Sequence, residues 1–378
     1  MHIYPGSPAV AKRMSAFLDL PVEILQAIVL ELKGSNRQPL RSTCKGLSTV
    51  VEPFLFSEIT INTHRSVLET VSIPFCKALA QFRSEDGIVK DERSLSAYVR
   101  TLSVQDRALR TGDDNASQEM LDVWQEILTS ALSCLVNLRT FRWEISKNSP
   151  SWMYVQVPEI VSKLPLLSEF FGEFARGVDP PSIRLDSFRN LRTLAIDGTR
   201  LPEAAFGQTV LGPLSTALLN SPDLQTLHVR APSQRSTSFS FSDVFKGIPD
   251  TKGASVLYIK KLVVEDLAMD VPAAMIPHLQ SLSSLEVHIR GRNTEVGNFW
   301  NVLQTASVSL EVLKMDCDID RTLLDYISHC HSRLKVLFLD GAGRNATDEM
   351  SDELADLFFG SVFPKFAKSL RRLTLHPD

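Results

Sequence analysis

Leu334-Lys335-Val336-Leu337-Phe338-Leu339-Asp340 is the stretch that decides the fold. Apolar residues stand at its first, fourth and sixth places, an L-x-x-L-x-L pattern. In an extended chain successive side chains point to opposite faces, so Leu337 and Leu339 share an inward face. Upstream the same triplet returns at Leu138/Phe141/Trp143, Leu191/Leu194/Ile196, Leu224/Leu227/Val229, Ile259/Leu262/Val264, Leu282/Leu285/Val287 and Leu310/Leu313/Met315, and downstream at Leu370/Leu373/Leu375. Val99/Leu102/Val104 begins the series, and Leu167/Phe170/Gly172 is its weak member because Gly172 fills an apolar slot. Successive copies start from 23 residues apart (Ile259 to Leu282) to 39 residues apart (Val99 to Leu138).

Amphipathic segments lie between the triplets, among them Met120–Leu132, Val210–Leu219, Asn298–Ala306 and Leu354–Phe366. One strand–turn–helix unit cannot bury its own apolar face, but stacked neighbours make a continuous core. The expected fold class is therefore α/β, a solenoid of about ten irregular repeats over residues 98–378. A doubly wound α/β sheet is the competing reading, and it lacks a recurring L-x-x-L-x-L. The pattern and its spacing resemble leucine-rich repeats with insertions. That resemblance implies a horseshoe whose strands line its open side. The Asn or Cys that such repeats carry three places after the third apolar residue is missing: Ser146, Thr199, Pro232, Asp318 and Ala342 stand there. Irregular turns are the expectation, with surface insertions at Asp106–Ser117 and 233–242.

Residues 17–56 read differently, as a compact helical unit. Pro21 suits the start of a helix, where its missing N–H costs nothing. Leu20, Ile24, Ile28 and Leu32 then recur every four residues, widened by Leu25 and Val29. Gly34 is placed to cap that helix in a left-handed conformation. Pro39 opens a second helix with Leu40, Cys44, Leu47 and Val51 on one face, and Pro53 breaks it before Phe54-Leu55-Phe56. About 40 residues rarely build a self-sufficient core, so one apolar face is expected to be completed by something else. The bland alternative is that this unit is the first helical hairpin of the larger fold.

The residue types say more. Leu20-Pro21-x-Glu23-Ile24-x-x-x-Ile28-x-x-x-Leu32, Leu40-Arg41-x-x-Cys44-Lys45-x-Leu47 and Pro53-x-Leu55-Phe56 resemble the F-box motif, without a gap and near the N-terminus. The departures are Leu47, where Trp is frequent, and Arg37 and Gln38, where apolar residues are usual. The combination is similar to fungal F-box proteins with C-terminal leucine-rich repeats. It implies docking on a Skp-family adaptor of a Skp–Cullin–F-box ubiquitin ligase, through Leu20, Pro21, Ile24, Ile28, Leu40, Cys44 and Leu47. It also implies a protein substrate held by the repeats, with the chemistry left to other subunits. The alternative is a free-standing leucine-rich-repeat scaffold. The expected organisation is a flexible N-terminus (1–15), the F-box module (16–60), a helical linker or cap (61–97) and the solenoid (98–378).

The open strand positions carry a candidate substrate site. The residue after each triplet is acidic at Glu144, Glu173, Asp197, Glu265, Asp316 and Asp340. These read either as solvated strand ends or as an acidic row that steers a basic partner. Lys260, Lys261, Lys335, Arg371 and Arg372 are expected to cancel part of it.

Composition narrows the classes. Hydrophobic residues make up 44% and charged residues 22%, a globular balance with ample core material. Forty Lys+Arg against 44 Asp+Glu give a net charge of −4, so there is no basic excess for nucleic acid. Five cysteines without a C-x-x-C pair argue for a reducing compartment, cytoplasmic or nuclear. No secretory signal and no run of about 18 apolar residues is read, so no membrane is expected. Asp316-Cys317-Asp318-Ile319-Asp320 lacks the glycine and final Glu of a calcium loop, with Arg321 and Ile327 in those places. His329-Cys330-His331 is too tightly spaced for a zinc site. Gly341-Ala342-Gly343 lacks the remaining phosphate-loop pattern. The expectation is no cofactor, no metal and no catalytic residues.

Overall fold

A computed structural model describes residues 17–64, 67–80, 94–105, 118–146, 149–174, 183–232, 239–248, 256–289, 296–317, 319–329, 333–342 and 348–377. The N-terminal stretch 1–15, the insertion Asp106–Ser117 and most of 233–242 lie outside these residues. Every triplet becomes a strand: β2 (Thr101–Gln105), β3 (Thr140–Ile145), β4 (Glu169–Phe174), β5 (Thr193–Asp197), β6 (Thr226–Arg230), β7 (Lys261–Glu265), β8 (Ser284–His288), β9 (Val312–Asp316), β10 (Val336–Ala342) and β11 (Arg372–Pro377). A further strand, β1 (Glu58–Asn62), precedes them. The eleven strands form one parallel sheet in chain order. The register aligns the triplets: Phe141 faces Leu102 and Phe170, and Trp143 faces Val104 and Gly172.

Burial alternates as period two requires. In β6, β8 and β9 the second and fourth residues are buried and the others half-exposed. Helices cover the inward face. The amphipathic segments form Gln118–Ser133, Gly212–Leu219, Gly297–Thr305 and, in pieces, Asp348–Phe366. One apolar cluster runs from Ile59 to Phe366, so each repeat is completed by its neighbours. The result is an α/β repeat solenoid.

The weak copy has a packing reason. Gly172 sits beside the large Trp143, and Phe170 fills the space by stacking on Phe188 with ring centroids 4.3 Å apart. In place of an Asn ladder the turns find separate solutions. The Ser146 N–H donates to Ser149 Oγ at 3.1 Å, and the buried Tyr154 hydroxyl donates to the Ser146 carbonyl at 3.0 Å. The Thr199 N–H donates to Asp197 Oδ1 at 2.9 Å.

Two sequence-based boundaries change. The solenoid starts at β1, inside the span assigned to the F-box module and the linker, rather than at residue 98. The signal was Phe56/Ile59/Ile61, the same triplet, hidden because Phe56 also ends the helical motif. The Ser57 carbonyl accepts the N–H groups of Arg100 and Thr101 at 2.8 and 2.9 Å. The Arg100 carbonyl accepts those of Arg139 and Thr140 in the same way, so Ser57 is the first rung of a ladder that runs through the solenoid.

The helical unit also divides differently: α1 (Val22–Glu31), α2 (Gly34–Arg41) and α3 (Lys45–Leu55). Gly34 opens α2 and is not a left-handed cap. The expected second helix is two helices, broken at Ser42–Cys44, with Pro39 inside α2 and Pro53 in the last turn of α3. Leu25, Val29, Val50 and Val51 form its own small core, with Phe17, Leu40, Phe54 and Leu55 packed on it. The third helix also packs against the short helix Leu95–Tyr98 of the solenoid.

Candidate functional site

The first surface lies on the helical unit. Leu25 and Val29 are one turn apart and both face inward, at 5% and 1% exposure. Rotating the register by one residue puts Leu20, Ile24 and Ile28 on the neighbouring stripe. Ile24 is 48% exposed, and Leu18, Leu20, Val22 and Leu30 are exposed with it. Pro21 is exposed, while Ile28, Leu40 and Cys44 are half-buried. Leu47, by contrast, is buried, at 3% exposure. Scattered exposed apolar side chains are ordinary; a stripe of them beside a finished core is not.

Arg37, which departs from the apolar residue expected there, has a structural task. Its Nε and Nη2 donate to the carbonyls of Val29 and Leu30 at 3.1 and 3.2 Å. Those carbonyls belong to the last turn of α1, where backbone donors run short; that of Val29 also accepts the Leu32 N–H at 3.2 Å. Arg41 Nε lies 3.0 Å from Glu52 Oε1 and joins α2 to α3. These polar contacts tie α1 to α2 and α2 to α3.

The second surface is the open face of the sheet. The acidic residues read from the sequence do share one row: the register sets Glu144, Glu173, Asp197, Arg230, Glu265, His288, Asp316 and Asp340 side by side. The row is not uniformly acidic, because Arg230 and His288 interrupt it. Arg230 Nε lies 2.9 Å from Glu265 Oε2, and its Nη1 lies 3.3 Å from Asp197 Oδ2. His228 Nε2 is 3.0 Å from Glu265 Oε1. The hydrogen bond from His228 lowers the Glu265 carboxyl below its ordinary range; burial opposes this, and the charges of Arg230, His228 and His288 add to it. Glu173 and Asp340 have looser partners, Arg200 and His376, each at 3.7 Å.

Glu286 in the middle row gathers Lys261 and Lys314 at 3.0 and 3.2 Å. Burial pushes its carboxyl up, and the two ammonium groups outweigh that and hold it below the ordinary range. The Arg142 guanidinium stacks 4.8 Å over the Phe171 ring. A shallow depression of about 380 Å³ opens across β2–β6, with Ala195 and Gly172 at its small-residue centre and Arg142, Phe171, Glu173 and Asp197 around it. Arg230, His228 and Glu286 were missed by sequence reading. Only the register reveals them as neighbours of Asp197, Glu265 and the two lysines.

The basic residues expected to cancel the acidic row stand elsewhere. Lys260, Lys335 and Arg371 precede their strands, five residues or about 16 Å from the row. Lys261 and Lys335 pair with Glu286 and Glu311. Among the described residues no cluster of three or more His, Cys, Asp or Glu side chains is placed to hold a metal. Asp318, Cys330, His331 and Gly343 lie outside the described residues. Burial pushes the Cys76 thiol up to about 12, which makes it an inert core residue. No helix among the described residues is long and apolar enough to cross a membrane.

No family model matches the sequence, and no curated relative matches it. Among solved structures the chain is similar to one described as the crystal structure of the Rad7 and Elc1 complex in yeast. The identity is 11%, over 92% of this chain and 96% of that one, with a TM-score of 0.35. A likeness that loose carries no argument here, and the reading of this chain rests on its own two surfaces.

Proposed function

We propose that this chain is a non-catalytic substrate adaptor of a Skp–Cullin–F-box ubiquitin ligase. In this reading α1–α3 are an F-box that docks on a Skp-family subunit and through it on a cullin, and the repeats are leucine-rich repeats that hold a protein substrate. The observation that carries it is the exposed stripe at Leu20, Pro21 and Ile24, with Ile28, Leu40 and Cys44 at its margin. The unit's core closes without Leu20, Pro21 and Ile24, so burying them needs a partner. Glu144, Glu173, Asp316 and Asp340 on the open face would steer the basic part of a substrate. The mechanism is proximity, which raises the concentration of a target lysine near a charged ubiquitin carrier. It needs no cofactor and no metal.

The test is a titration of the purified chain with a Skp-family subunit. A hot-spot truncation costs about 2 kcal/mol, roughly thirtyfold in affinity, and Ile24→Ala is expected to do so. Folded wild-type protein that shows no binding would sink the adaptor reading. One observation favours a free-standing repeat scaffold instead: α3 packs on Leu95–Tyr98, and Ser57 starts the carbonyl ladder, as a solenoid cap would.

A further inference from the structure

The strands begin on a line of cations. In the place after the first apolar residue, six of the ten triplets carry a cation: Arg100, Arg139, Arg192, Lys260, Lys335 and Arg371. From β3 to β8 the line runs Arg139, Ser168, Arg192, Gln225, Lys260, Ser283, a cation alternating with a neutral polar residue. The backbone enforces the spacing, because each of these carbonyls receives two N–H groups of the next repeat. Neighbouring strands are about 4.8 Å apart, so cations on alternate strands are about 9.6 Å apart. A polyproline-II segment has three residues per turn and rises about 3.1 Å per residue, so every third residue returns to the same face about 9.3 Å further on and meets one. Arg139, Arg192 and Lys260 are exposed and form no ion pair among the described residues. Leu166 and Tyr258, exposed two residues before Ser168 and Lys260, offer apolar surface beside the line.

The far end of the edge shows what it does to a carboxylate. Glu311 occupies the same place on β9, with Lys335 Nζ 2.6 Å from its Oε2. The hydrogen bond from Lys335, followed by the charges of Lys335, Arg333 and Arg371, holds the Glu311 carboxyl below its ordinary range.

We propose that this edge, centred on Arg139, Arg192 and Lys260, docks an acidic segment of a partner protein in the polyproline-II conformation, with carboxylates at every third residue. The proposal rests on the reading of the solenoid as the arm that holds a protein. A polyphosphate chain fits less well: the protein's net charge is −4, and Glu144 and Asp197 stand about 16 Å away on the same strands.

The probe is a fluorescein-labelled synthetic peptide with glutamate at every third place and proline and alanine between, titrated into the full chain. A peptide of the same composition with contiguous glutamates, a lysine version and oligothymidylate are the comparisons. The phased peptide should bind tightest and lose at least about tenfold in R139E/R192E/K260E, while the lysine version gains on that variant. R371E, at the far end, should leave binding unchanged. Equal binding by wild type and triple variant, equal binding of the phased and contiguous peptides, or tighter binding of oligothymidylate would each overturn the proposal. If the triple variant misfolds, R192Q on its exposed side chain must still weaken the phased peptide. Skp-family binding is measured on the same proteins: its loss in wild type sinks the adaptor reading, and its retention with an indifferent peptide sinks only this one.

Discussion

Arg230, the last residue of β6, sets its Nε 2.9 Å from Oε2 of Glu265, the last residue of β7. Its Nη1 reaches back to Asp197 at the end of β5, so one guanidinium ties three consecutive repeats. Two of the residues that read as a free acidic row are thereby engaged. Both acids and the arginine are mostly shielded from solvent, which makes the interaction stronger than an open surface pair.

Removing that guanidinium should destabilise the solenoid by leaving Asp197 and Glu265 as uncompensated neighbours. Arg230→Gln is expected to cost about 1–2 kcal/mol, read as a shift in the denaturant midpoint. A loss no larger than that of an exposed control such as Arg192→Gln would show that the bridge contributes nothing.

Glu286 gives a pH dependence of defined sign. Its folded carboxyl is held below the ordinary value by Lys261 and Lys314, so the unfolded chain takes up the proton first as the pH falls. The stability it contributes is present above the ordinary value of 4.5 and is lost as the pH falls through the lower folded value. Glu286→Gln should lower stability at neutral pH and flatten the acid limb of the stability profile. Parallel wild-type and variant profiles would refute the pairing.

Gly172 should not accept a side chain. A Cβ there would lie 3.2 Å from Phe170 Cε1 and 3.4 Å from Ile196 Cδ1, in a layer already filled by Trp143. Gly172→Ala is expected to cost about 1–2 kcal/mol through overpacking. Thermal unfolding monitored by tryptophan fluorescence reads this, and an unchanged midpoint would mean that the aromatic layer yields.

Adjacent residues of α1 should separate stability from docking. Leu25→Ala, at a buried site, is expected to cost about 2–3 kcal/mol of stability. Ile24→Ala, half-exposed, should leave the melting temperature nearly unchanged and weaken binding to a Skp-family subunit. If both residues affected only stability, the stripe would be core and not a docking face.

Much of this was legible because its signals are local. The apolar triplet has a period set by the β-strand itself, so ten strands could be placed without knowing what they pack against. The eleventh was missed because Phe56 belongs to two patterns at once. Helix α1 was legible from Pro21 and the four-residue spacing, whereas the break at Ser42–Cys44 carried no apolar signal to betray it. Leu47 matched the docking pattern and is buried, because a motif does not state which of its apolar residues are exposed.

The sequence by itself determined that the chain alternates strand and helix in repeats, that a separate helical unit precedes them, and which residues end each strand. Only the tertiary structure decided which of those residues meet. Asp197, Arg230 and Glu265 are dozens of residues apart in the chain and one strand apart in space, because stacking converts loop length into a constant spacing of about 4.8 Å. The same stacking parts the cations that begin the strands from the carboxylates that end them. Ionic partners are chosen by distance in space, and that distance is set by the register of the sheet.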